Sequence, residues 1–121
     1  MAEQTRLAKG LDVFARVYGS QVSVPPEMVA LPFQRLMLEN LFADIWGREA
    51  MSIRDRRLIL IGVIAATADA SLIETQLRAA LEKGELMPDQ LREIPLLLTQ
   101  YIGYPRTVPV MMAVEKILAT P

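Results

Sequence analysis

The sequence predicts an all-α protein of about six helices. Three observations carry that reading: apolar residues recur at helical spacing, cap and stop residues sit at matching offsets, and no stretch shows the alternation of a strand. At 121 residues the chain is the size of one ordinary domain, residues 1–121, with enough length for a real core. It shows no repeat and no low-complexity segment.

The helices follow in order. Leu7, Leu11, Phe14, Ala15 and Tyr18 predict a first helix over residues 3–18, with Gly10 as a weak point costing about 1 kcal/mol against alanine. Gly19 ends it. Pro25 and Pro26 lack amide donors and hold the next stretch extended, so residues 1–25 read as a helix and a linker. A second helix begins near Pro26 or Glu27 and is bent or restarted at Pro32. Its apolar stripe is Met28, Leu31, Phe33, Leu36, Met37, Leu41 and Ile45, and residues 46–51 form a loop.

Residues 58–68, LILIGVIAATA, are too few for a bilayer span, which needs about 20. Ile59, Ile61, Val63 and Ile64 would suit a buried strand, but Ser52 followed by Asp55 is a helix start. The result is a helix over 53–67, apolar on all sides and therefore central. Ser71 with Glu74 repeats the start signal, Gly84 supplies the stop, and a helix over 71–83 turns Leu72, Ile73, Gln76, Leu77, Ala80 and Leu81 inward. Gln76 is the polar member of that face. Pro88 and Asp89 suit the first turn of a fifth helix, kinked at Pro95 and ended by Gly103. The last helix starts at about Thr107 or is distorted in its first turns by Pro109.

Composition limits the chemistry. With 13 basic and 14 acidic residues the net charge is −1, which gives no electrostatic footprint for nucleic acid or an acidic membrane surface. The absence of cysteine removes disulfides and thiolate nucleophiles; the absence of histidine removes the usual general base and the commonest metal ligand. No cluster suits a metal, no glycine-rich phosphate loop is present, and no cofactor is implied. The polar opening MAEQTRLAKG is not a signal peptide, so cytoplasmic residence is the default expectation. A hydrophobic fraction of 52% with a mean hydropathy of +0.27 is high for a small soluble monomer, and self-association is its natural outlet.

Several motifs then fall in a recognisable order. Trp46 and Arg48 precede a collar of Arg54 and Arg56 before Leu58 and Ile59. QLRAALEKG comes next, then Gln90-Leu91-Arg92-Glu93, then Tyr101, Gly103 and Pro105. In this order the chain resembles the carboxymuconolactone decarboxylase family, which includes the alkylhydroperoxidase D-like proteins, over residues 33–118. The resemblance implies an alkylhydroperoxidase D-like all-helical fold with a central antiparallel helix pair, assembled as a trimer or hexamer. It also implies a small lactone or a cyclic or aromatic carboxylic acid as substrate.

Thiol members of that family carry C-x-x-C and, after three more residues, histidine; those positions are Asp69, Leu72 and Gln76 here. Disulfide exchange needs two sulfurs, so a thiol-dependent peroxidase is excluded. Decarboxylase-like members keep a carboxylate and a histidine where this chain has Leu72 and Gln76, and a glutamine cannot shuttle a proton at neutral pH. The candidate catalytic residues are therefore Glu74 and Gln76. Candidate substrate-binding residues are Trp46, stacking over a flat ring, Arg54 and Arg56, pairing with a carboxylate, and Tyr101 as a hydrogen-bond donor, beside Tyr104. Each has a structural alternative: core packing for the tryptophan, ion pairs for the arginines, a backbone-bonded glutamine, and tyrosines packed at a helix end. The functional alternatives are an enzyme, a non-catalytic oligomeric ligand-binding or scaffold relative, and a helical interaction module docking through Met111 and Met112.

Overall fold

A computed structural model describes residues 4–67 and 70–119. The described residues form helices and connections, with no strand among them, as the all-α reading expects. The chain divides into two compact units, Met1–Ile53 and Arg54–Pro121.

The first unit contains α1 (Arg6–Tyr18), a single 3-10 turn (Pro26–Met28), α2 (Pro32–Leu36) and a π-wound continuation of α2 (Met37–Trp46). α1 starts three residues later than the apolar spacing suggests because Thr5 caps it, its hydroxyl accepting from the Ala8 amide at 3.0 Å. Gly10, Val13, Phe14 and Val17 form its buried stripe. Gly10 is a contact rather than a weak point: a Cβ there would lie 2.0 Å from the Leu38 carbonyl oxygen. The missing side chain lets α1 sit directly on the π segment.

The π segment buries Leu38, Phe42, Ala43 and Trp46, and closes with the Gly47 amide on the Phe42 carbonyl, an i→i+5 bond of 2.9 Å. Phe42 lies edge-on to Phe14 at 4.8 Å and stacks with Trp46 at 6.3 Å. Leu31, Phe33, Leu36, Leu41 and Ile45, expected in the buried stripe, are exposed instead. The segment has more apolar positions than one face can hold, and the close approach at Gly10 selects the other face. Trp46 belongs to the helix and not to a loop, which begins at Gly47.

The second unit contains α3 (Ile53–Thr67), α4 (Ala70–Glu82), α5 (Pro88–Ile102) and α6 (Tyr104–Ala119). Its core gathers Ile61 and Ala65 of α3, Ile73, Leu77 and Ala80 of α4, Leu91 of α5, and Val110, Val114 and Ile117 of α6. α6 packs against both α4 and α5. The expected bounds of α3 hold, but it is not buried all round within the chain, since Ile59 and Val63 are 60% and 55% exposed. α6 starts at Tyr104, before the expected Thr107, and accommodates Pro109 inside it. Thr107 contributes there, its hydroxyl donating to the Gly103 carbonyl at 2.8 Å.

α4 ends in a tight reversal. Gly84 takes φ +70°, the Glu85 amide donates to the Ala80 carbonyl at 2.9 Å and the Gly84 amide to the Leu81 carbonyl at 3.1 Å. This pair of bonds is a Schellman stop, and it fixes where Glu85 emerges.

Candidate functional site

Arg57 is fully buried on α3, on the same face as Ile61 and Ala65. A guanidinium cannot lose its charge, so burial requires partners on every side. Its Nε donates to Glu85 Oε1 at 2.5 Å, its Nη2 to Glu85 Oε2 at 3.1 Å, and its Nη1 to Gln76 Oε1 at 2.8 Å. The Glu85 side chain is 13% exposed and Gln76 is 3% exposed. The planar guanidinium thus meets the carboxylate with two parallel bonds and the amide with a third. Arg54 adds to the same corner, its Nε donating to the Glu85 backbone carbonyl at 2.9 Å. Gln76 is held by its oxygen on a charged donor.

Glu74 lies elsewhere. Two residues along a helix turn a side chain by roughly 200°, so Glu74 and Gln76 leave α4 on different sides. The Glu74 carboxylate meets Lys116 Nζ of α6 at 2.9 Å and Arg78 Nε at 3.8 Å, and is about a quarter exposed. Ser71, Glu74, Met112 and Lys116 line a cavity of about 430 Å³ between α4 and α6.

The other candidates are scattered. Trp46 is buried in the first unit with its ring on Phe42. Arg54 is engaged by Glu85 and by Asp55 at 3.4 Å, while Arg56 is half-buried on α3. Tyr101 and Tyr104 do not pack a helix end within the chain: they are 82% and 71% exposed. Asp69 lies outside the described residues. The structure therefore brings Arg54 and Gln76 to one corner and Glu74 to another.

Arg57 and Glu85 are the residues that sequence reasoning missed. The signal for Arg57 was its spacing of four and eight from Ile61 and Ala65, which places it on the inward stripe rather than in an exposed basic collar. Among the described residues, no group of His, Cys, Asp or Glu side chains could hold a metal ion, and no helix is long and apolar enough to cross a membrane.

The fold and the buried corner define a cysteine-free, all-helical protein whose Arg57, Glu85 and Gln76 lock α3 to α4. The family model described as the carboxymuconolactone decarboxylase family matches residues 32–116, and the chain belongs to that family. No curated protein matches the chain significantly.

Proposed function

We propose that this chain takes a small lactone or a cyclic or aromatic carboxylic acid into the cavity between α4 and α6. Glu74 transfers a proton there without any thiol step. The observation that carries the reading is the Glu74–Lys116 pair, 2.9 Å apart, on the wall of a cavity inside the family-matched segment. An entering carboxylate competes with Glu74 for Lys116. Lys116 then turns to the substrate carboxylate while Arg78 stays beside Glu74, and Glu74 has to enter the step carrying a proton taken from solvent. If the substrate loses CO₂, its C–C bond electrons pass to the ring carbon and protonated Glu74 supplies the proton to that carbon. Arg78 remains as the counterion for the carboxylate left behind.

The same reading has the chain self-associating in the cytoplasm as a trimer or hexamer, through apolar faces that a single copy leaves open. A non-catalytic ligand-binding relative is the second reading. The observation on its side is Gln76, whose oxygen is already held by Arg57.

The test is a thermal-midpoint screen against benzoate and 5-oxotetrahydrofuran-2-carboxylate, followed by an assay for CO₂ release. A ligand that binds only the folded state raises the midpoint. The enzyme reading expects a shift that Lys116→Ala removes, and turnover that Glu74→Gln removes while binding persists. Binding without turnover would leave the ligand-binding relative. No shift with either compound would end both.

A further inference from the structure

The cavity between α4 and α6 is charged on one side and apolar along the rest. Among the described residues of its lining, Glu74 and Lys116 carry the charges, while Met112 and Pro109 continue the wall along α6. Pro109, Met112 and Lys116 share one face, because residues three and four apart on a helix are neighbours. The stretch from Lys116 back to Pro109 covers roughly 10 Å at about 1.5 Å per residue, enough for a ring and a substituent.

Glu74 faces two cations, Lys116 Nζ at 2.9 Å and Arg78 Nε at 3.8 Å. The Lys116 side chain is 65% exposed against 28% for Arg78. The lysine is therefore the cation that can swing to a ligand carboxylate while Arg78 keeps Glu74 balanced. No second cation lines the cavity among the described residues. A carboxylate on Lys116 meets its counter-charge, whereas a group opposite it across the ring meets the Met112 thioether and the Pro109 ring.

A methyl group in that position buries apolar surface against Met112, whose polarisable sulfur also suits an aromatic edge. A second carboxylate there has to shed water or swing out of the cavity, with no cation to meet it. We propose that the site selects an aromatic monocarboxylate with an apolar group opposite the carboxylate, discriminates against dicarboxylates, and owes this choice to Met112. The proposal rests on Glu74 and Lys116 forming the substrate site, as inferred for the function.

The probes are 4-methylbenzoate and terephthalate, which share a ring and one carboxylate and differ in the group opposite it. Calorimetric titration of the purified protein at about 0.15 M ionic strength, where charges beyond about 8 Å are screened, should show 4-methylbenzoate bound at least about 5-fold more tightly. Met112→Lys puts an ammonium group where the second carboxylate falls and should reverse the order; Met112→Leu should keep it. Met112 is 62% exposed, so both variants are expected to fold with unchanged helical circular dichroism. The comparison in the parent protein needs neither of them. Equal affinity for the two acids, with both lost in Lys116→Ala, would overturn the selectivity and leave the site standing. Selectivity that Met112→Lys leaves untouched would overturn the proposal too, because another wall would be making the choice. Binding of neither acid, or binding indifferent to Lys116→Ala, would remove the site itself and the proposal with it.

Discussion

Glu85 grips Arg57 with both carboxylate oxygens, at 2.5 and 3.1 Å, although 28 positions separate them in sequence. The contact depends on the turn at Gly84, which delivers Glu85 to α3 immediately after α4 ends. It also fixes Gln76, because Arg57 holds the amide oxygen with its remaining nitrogen.

Glu85→Ala should therefore destabilise the protein by about 3–5 kcal/mol, since it leaves a buried guanidinium without its counter-charge. The double change Arg57→Met with Glu85→Leu should recover most of that loss, because desolvated ion pairs are often replaceable by apolar packing. Urea unfolding of the two variants decides the matter. A single-site loss below about 1 kcal/mol, the value of an exposed pair, would show that the clamp is not buried in solution.

Gly10→Ala tests the approach of α1 to the π segment. Helix propensity alone favours alanine by about 1 kcal/mol. The added Cβ would nevertheless meet the Leu38 carbonyl carbon at 2.6 Å and its oxygen at 2.0 Å, and backbone cannot swing aside as a side chain can. A net destabilisation of about 3 kcal/mol is expected, read as a lowered midpoint in urea. A more stable variant would mean that α1 stands further from Leu38.

These two positions show what was legible in the sequence. The bounds of α3, and of α4 to within one residue, could be read because a stop such as Gly84 and a first-turn acid such as Asp55 act locally. The π winding of residues 37–46 could not, because its buried face is chosen by the contact between Gly10 and Leu38, which no local signal carries. Within the site, Gln76 was legible as the polar residue of an inward stripe. Arg57 was obscured by its neighbours Arg54 and Arg56, and Glu85 by its place beyond the helix stop. Pairing Glu74 with Gln76 as one catalytic set overlooked that residues two apart on a helix face different sides.

The ion pair between Arg92 of α5 and Glu115 of α6, 3.0 Å apart, predicts an acid dependence. Hydrogen bonding from Arg92, with its charge as a further cause, holds the Glu115 carboxyl below the usual carboxylate range against a smaller opposing effect of burial. A depressed folded-state value means that the contribution is present above the unfolded-state value and is lost as pH falls through the folded one. Both side chains are about half exposed, so the effect is modest and screened by salt. Thermal midpoints of Glu115→Gln and the parent should differ at neutral pH and low salt, and converge in acid. A difference that persists in strong acid would assign it to packing instead.

The apolar face of α3 carries the last prediction. Ile59 and Val63 are one helical turn apart and more than half exposed, on a helix whose opposite face holds the Arg57 clamp. Two β-branched side chains facing water in this way have the pattern of an interface between copies. Leu60 would be an ambiguous probe, because it is half-buried within its own chain and a charge there would disturb folding as well as assembly. Val63→Asp separates the two: a carboxylate remains hydrated on an isolated chain but is buried without a partner in an α3-mediated assembly. Sedimentation should show the parent as a trimer or hexamer and the variant as a smaller species with unchanged helical circular dichroism. Full assembly of the variant would move the interface to another exposed stripe, such as Phe33 with Leu36.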